Sequence, residues 1–224
     1  MSFMTPTIVV ASKNRGKLAE IQTAAQTGGL NYCFRAITDL LPDWTAPIED
    51  GDSFEANAAI KAGAAFAALG LPTLADDSGL IVDALSTVCA DGSLHAVPGV
   101  YSSSFAGVEG DDARNNKKLL QELAKIPVEE YVQSSRSARF VATLVLVGLD
   151  TLLPGAPNYV LATGSCEGTI AVEPRGEAGF GYDPLFLPTE TQGRSMAELD
   201  LHEKNTISHR GHALESLMNQ LLQY

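Results

Sequence analysis

Residues 138–149 read ARFVATLVLVGL, a run in which both alternating faces are apolar. Such a strand must be covered on both sides, which places it inside a sheet and not at its edge. Residues 159–167 (YVLATGSCE) supply a second strand soon afterwards. A long strand pair of this kind favours a mixed sheet over a purely parallel one. Working outward, residues 7–11 (TIVVA) form a short β-branched strand, and a polar turn over residues 12–17 follows it. Leu18, Ile21 and Ala25 then recur at helical spacing. A second helix starts at Asp52, where Asp52 and Glu55 have capping-box spacing, and runs through an alanine-rich body to Leu69 before Gly70 and Pro72 stop it. Residues 73–75 enter a second polar turn, Asp76-Asp77-Ser78-Gly79, and residues 80–85 continue as extended chain. Residues 91–110, rich in Gly, Ser and Pro, read as a long loop. Asp111 or Asp112 caps a helix reaching about Ile126, with Leu119, Leu120 and Leu123 as its apolar stripe. Residues 176–188 form a glycine-rich loop leading into a short apolar piece. Ser208 caps a last helix that turns Leu214, Leu217, Met218 and Leu221 inward. Strands and helices alternate without repeat or linker, so the expected class is α/β with a mixed sheet.

The composition narrows the function. The chain has 224 residues, 45% of them hydrophobic and 19% charged, which suits one globular domain. Fifteen basic against 27 acidic residues give a formal net charge of −12. A surface this acidic is a poor general partner for nucleic acid or anionic lipid, so a phosphorylated ligand needs a local basic cluster or a bound cation. The longest apolar stretch falls far short of the roughly 20 residues of a membrane helix. No export signal is visible in Met1-Ser2-Phe3-Met4. The three cysteines, Cys33, Cys89 and Cys166, match no zinc or redox spacing and point to a reducing cytoplasm.

Four polar clusters interrupt the apolar pattern. Ser12-Lys13-Asn14-Arg15-Gly16-Lys17 opens a helix, where free N–H groups, the helix dipole and three basic side chains suit phosphate. It is not a Walker A loop, because the first glycine is missing and Leu18 follows the lysine. An ordinary solvated turn would read the same way. Asp76-Asp77-Ser78-Gly79 offers adjacent carboxylates to a hard cation such as Mg²⁺, with one of them free to deprotonate water. An Asx-turn also explains it. A phosphoaspartyl phosphatase would want Asp-x-Asp, and Ser78 occupies the second Asp position. Gly179-Phe180-Gly181-Tyr182-Asp183-Pro184 lets backbone approach a flat ligand while Phe180 or Tyr182 stacks on it, or else is a tight turn around a buried aromatic. Lys204 with Ser208-His209-Arg210-Gly211 places cations at a helix N-terminus, against the dipole. That is either plain surface charge or a functional site.

Taken in order, these clusters together with Phe54-Glu55-Ala56-Asn57-Ala58, Lys61-Ala62 and Pro98-Gly99-Val100-Tyr101-Ser102 resemble the inosine/xanthosine triphosphate pyrophosphatase family. The resemblance runs from about residue 7 to 222. It implies an elongated mixed β-sheet flanked by helices, two lobes without a separable linker, and a nucleotide cleft between them. It implies a homodimer that hydrolyses deaminated purine nucleoside triphosphates (dITP, ITP, XTP) between the α- and β-phosphates. Asp77 would be the general base and, with Asp76 and Glu49, would surround Mg²⁺. Ser12 to Lys17 would hold the triphosphate, Asn14 and Lys17 most directly, with Asn57 and Lys61 lining the phosphate end. Ser78, Phe180, Gly181, Tyr182, Asp183, Lys204, His209 and Arg210 would contact the rest of the substrate, and Arg210 or backbone N–H groups near His209 are the expected donors to the purine 6-keto oxygen. Two alternatives stay in view: a non-catalytic nucleotide-binding regulator and a pyrophosphatase for modified pyrimidines. The sequence departs from the family pattern in an apparent insertion at 86–97, in Ser104 where an Arg is usual, and in Ala56 where a Glu is usual.

Overall fold

The computed structural model describes residues 6–29, 31–126 and 136–223. In chain order the strands and helices are β1 (Thr7–Val10), α1 (Arg15–Thr27), β2 (Cys33–Ala36), α2 (Ile37–Leu40), α3 (Phe54–Leu69), β3 (Thr73–Val82), β4 (Thr87–Val88), β5 (Leu94–His95), α4 (Asp112–Leu123), β6 (Ser137–Val147), β7 (Tyr159–Ile170), β8 (Phe186–Pro188), α5 (Leu201–Ile207) and α6 (His209–Leu221). Six strands form one sheet in the order β2-β1-β3-β6-β7-β8. β1 pairs in parallel with β2 and β3, whereas β7 and β8 are antiparallel, so the sheet is mixed as the sequence suggests. The apolar run at 138–149 becomes β6, an interior strand of that order.

The chain divides into two compact units. The first comprises residues 1–77, 142–164 and 209–224, and the second residues 78–141 and 165–208. In the first unit, alternate residues of β1 enter different cores, as period-two geometry requires. Ile8 and Val10 join Leu18 and Ile21 of α1 and Leu214 and Leu217 of α6, while Val9 faces Ala58, Ala62 and Ala65 of α3. The alanines at i, i+4 and i+7 give α3 a narrow face that packs close to the strands. Ser53, not Asp52, caps α3, its side chain accepting the Ala56 N–H at 3.2 Å. Gly70 ends the helix in the left-handed conformation expected of a C-terminal glycine.

Gly164 of β7 lies where α6 approaches the strand. A Cβ there would stand 2.3 Å from both the Ala213 nitrogen and the His209 carbonyl oxygen, backbone atoms that cannot rotate away. Gly164→Ala is therefore expected to destabilise by about 1–3 kcal/mol, lowering Tm by roughly 2–4 °C for each kcal/mol at this chain length. A thermal melt that does not move would mean that α6 yields freely at this contact.

In the second unit, Leu119 and Leu123 of α4 pack with Leu80, Val82, Phe140, Tyr182 and Phe186. The Phe140 and Phe186 rings meet at 4.6 Å with a 57° tilt, a favourable aromatic geometry. Residues 86–97, expected as an inserted loop, carry an exposed two-stranded hairpin of β4 and β5, with Thr87 opposite His95. Its neck is closed by Ser86, whose hydroxyl donates to the Val82 carbonyl and accepts the Val97 N–H. β2, α2, α5 and this hairpin add to the elements read from sequence. Among the described residues no helix is long and apolar enough to cross a membrane.

Candidate functional site

The Asp76-Asp77 pair lies within β3, not in a turn. The strand runs unbroken from Thr73 to Val82, and both aspartates are buried in it. The Asx-turn reading is therefore corrected: extended backbone sends adjacent side chains to opposite faces, so the two carboxylates have different neighbours.

Asp76 receives three contacts from two basic groups. Its Oδ1 accepts from Lys17 Nζ at 2.5 Å and from Arg210 Nη2 at 3.4 Å, and its Oδ2 accepts from Arg210 Nε at 2.8 Å. Burial would raise its pKa, but Arg210 and Lys17 outweigh burial and hold the carboxyl well below the usual range. Arg210 Nη1 also donates to Glu20 of α1. Glu20, Asp76 and Arg210 are all buried, so the four residues form an internal network of two cations and two anions. Asp76 is paired with Lys17 and Arg210 on its own side of the strand. Arg210 is 1% exposed, and all three of its guanidinium nitrogens donate to Asp76 or Glu20. Its place at a helix N-terminus, which breaks the dipole rule, is explained by the two carboxylates that enclose it. His209 beside it is likewise buried.

Asp77 has a different environment. Its Oδ1 accepts from Lys61 Nζ at 2.8 Å, and the same ammonium donates to Glu49 Oε2 at 2.7 Å. Its Oδ2 is buried with no hydrogen-bond partner among the described residues. Burial pushes the Asp77 carboxyl up, against the pull of Lys61 and Lys17. Lys61 is pushed down by burial, but Asp77 and Glu49 prevail and raise it, so it stays an ammonium. One cation against two carboxylates leaves this cluster a negative charge in excess, and an orphaned carboxylate oxygen adds a ligand position. Such a donor set fits a hard divalent cation, which needs one or two carboxylates and takes its remaining ligands from water and phosphate. Asn57 supports the arrangement, its Oδ1 accepting the Gly51 N–H at 2.9 Å. That bond ties down the segment that carries Glu49. Trp44, buried among the α3 alanines, anchors the same segment further upstream.

In the loop before α1, Asn14 is the helix cap: its Oδ1 accepts from the N–H groups of Gly16 at 2.8 Å and Lys17 at 3.1 Å. Ser12 Oγ accepts the Asn14 N–H, and Arg15 pairs with Asp39. Asn14 and Ser12 thus order the loop itself. Of the basic side chains here, Lys13 and Arg15 are exposed and Lys17 is partly so.

The second unit contains the remaining candidates. Asp183 Oδ2 accepts from Lys204 Nζ at 2.8 Å and from the Phe180 N–H at 2.9 Å. Lys204 Nζ also lies 4.8 Å from the centre of the Phe180 ring, a cation–π contact. Asp183 and Lys204 are buried and shape the loop from within. Tyr182 is also buried and donates its hydroxyl to the Ser102 carbonyl, so it is not free to stack on a ligand. Phe180, whose ring carries the Lys204 contact, is half-buried between Gly179 and Gly181 and is less buried than Tyr182, and Ser78 is half-buried on β3. Glu20 and Asn116 were not singled out in the sequence, and Asp112 was read only as a helix cap. Glu20 did carry a signal: an acid beside the apolar stripe of α1 needs a buried cation.

The sequence matches the model of the Ham1 family over residues 8–220. It is 46% identical over 214 residues to a dITP/XTP pyrophosphatase of Geobacter sulfurreducens, covering 96% of each chain. It is 42% identical over 218 residues to a protein of the same name from Haemophilus influenzae, covering 97% of this chain and all of the other. Among solved structures it is similar to a HAM1 protein from Coxiella burnetii, with a TM-score of 0.77, 39% identity, and coverage of 98% of this chain and 100% of that one. The Staphylococcus aureus Ham1 protein gives a TM-score of 0.75 at 34% identity, with coverage of 97% and 98%.

Proposed function

Because the chain belongs to the Ham1 family, we propose that it hydrolyses ITP, dITP and XTP between the α- and β-phosphates, releasing a nucleoside monophosphate and pyrophosphate. The observation that carries the chemistry is Asp77, a buried carboxylate with one oxygen on Lys61 and the other unpartnered. Burial favours its neutral form and so makes its anion more basic, which suits a group that must take a proton from water. The proton moves from the attacking water to Asp77 as oxygen attacks the α-phosphorus and pyrophosphate leaves. The Lys61 ammonium keeps Asp77 in place and offsets the negative charge around it. Lys17 and Lys13 supply cationic contacts to the triphosphate.

Asp77 and Glu49 are the residues that would hold Mg²⁺. When bound, that ion would neutralise phosphate charge and lower the pKa of water. The Phe180 ring is the proposed platform for the purine. The reading includes a homodimer, which rests on the family resemblance alone. It also includes a cytoplasmic setting, which rests on three free thiols.

The test is pyrophosphate release from ITP, dITP, XTP, GTP and ATP, with Mg²⁺ and with a chelator. The deaminated purines should exceed ATP by about 10²-fold or more in kcat/KM, the discrimination that reversed hydrogen-bond polarity can supply. Equal turnover of ITP and ATP removes the substrate assignment. No turnover at all makes the protein a binder. Full activity in chelator removes the metal.

A further inference from the structure

Phe180 is flanked by Gly179 at φ +79° and Gly181 at φ +63°, both in the left-handed region that favours glycine. A ring mounted on two such residues has wide backbone freedom unless its peptides are held. Gly181 is held at both of its flanking peptide groups by one face of α4. Its N–H donates to Asp112 Oδ2 at 2.6 Å, and its carbonyl accepts from Asn116 Nδ2 at 2.9 Å. Asp112 and Asn116 are four residues apart in the first turns of α4, so both reach the same residue, one at each of its two flanking peptide groups. The bond to Asp112 is charge-assisted and short, which makes it the stronger member of the clamp. Asn116 Oδ1 is buried with no partner, so the contact to Gly181 is what orients that amide. Further along, Leu119 and Leu123 fix α4 in the core of the same unit. The helix register is thereby transmitted to the loop.

We infer that Asp112 and Asn116 are positioning residues for base recognition: they lock the two peptide groups that flank Gly181 and so aim the Phe180 ring at the purine. This rests on the reading that residues 179–184 receive the base. Neither side chain needs to touch the substrate.

The test compares Asp112→Ala, Asp112→Asn, Asn116→Ala and Phe180→Ala, with KM and kcat for ITP and the inhibition constant of tripolyphosphate, which has no base. Asp112→Ala should raise KM for ITP about tenfold, the equivalent of one charge-assisted bond. Its kcat and its affinity for tripolyphosphate should stay near wild type. Asp112→Asn retains an acceptor oxygen and should recover most of the loss, and Asn116→Ala should give a smaller rise of the same kind. A variant that merely loosens the fold would weaken tripolyphosphate and ITP together, and that result overturns the proposal. An unchanged KM in both alanine variants overturns it as well. If Phe180→Ala raises KM while the α4 variants do not, the base-platform reading survives and the positioning role falls. If Phe180→Ala leaves KM unchanged, the platform reading itself fails.

Discussion

Asp77→Asn is expected to lower kcat for ITP by about 10²–10⁴-fold, the contribution of a positioned acid–base group, without lowering Tm. The amide can still present an oxygen to Lys61, but its NH₂ then occupies the position of the unpartnered Oδ2. The proton acceptor is gone, and the cluster of Asp77, Glu49 and Lys61 loses the surplus negative charge that suits a cation. Stability should respond in the opposite sense. The folded pKa of Asp77 is raised above its ordinary 3.8, with burial the largest cause. A raised pKa means that the group's contribution is favourable below 3.8 and is lost as pH rises through the folded value. At neutral pH the ionised Asp77 is therefore a burden on the fold, and a neutral amide of the same shape relieves it. Steady-state kinetics and thermal melts on the same preparation check both halves. A variant keeping more than about a tenth of wild-type kcat takes Asp77 out of the base role. A collapse in Tm alongside lost activity makes Asp77 a structural residue.

That dissociation of chemistry from stability was partly legible in the sequence. Adjacent aspartates flanked by β-formers announced a site, and the doubly apolar run at 138–149 announced an interior strand. What the sequence could not give was the face on which each aspartate falls. Turn-forming residue types suggested a bend at Asp76-Asp77-Ser78-Gly79, yet β3 continues through them because parallel pairing with β1 holds the strand on its way in. Once the backbone is extended, period two separates Asp76 from Asp77, and only tertiary structure says which of them meets Arg210 from 134 residues away. The same limit hid Asp112 and Asn116. Both looked like ordinary polar residues in the first turns of an amphipathic helix, and their partner, Gly181, lies more than 60 residues downstream. Asn14 was visible as part of a phosphate-like loop. Its role as a helix cap follows from local geometry that the same residue types also satisfy without any ligand.

Arg210→Met should be the most destabilising of these substitutions, and it should act on the fold and not on substrate choice. Arg210 is buried with Asp76 on one side and Glu20 on the other. Removing one partner of a buried pair typically costs about 3–5 kcal/mol, because the remaining charges lose their compensation in a medium that solvates them poorly. At roughly 2–4 °C per kcal/mol for a chain of this size, Tm should fall by about 6–20 °C. Arg210→Lys should recover only part of this, since a point charge cannot reproduce the fork that spans two carboxylates. The effect should also depend on pH in a defined direction. Asp76 is held well below its ordinary 3.8 despite burial, chiefly by Arg210 and then by Lys17. A depressed pKa contributes stability that is present above 3.8 and lost as pH falls through the folded value. The gap in stability between wild type and Arg210→Met should therefore narrow in acid and be widest near neutrality. Thermal melts across that range measure it. The ratio of kcat/KM for ITP to that for ATP should stay constant in whatever fraction remains folded, because the guanidinium is committed to carboxylates. An unchanged Tm with a shrunken ITP-to-ATP ratio would reverse this assignment and return Arg210 to the base.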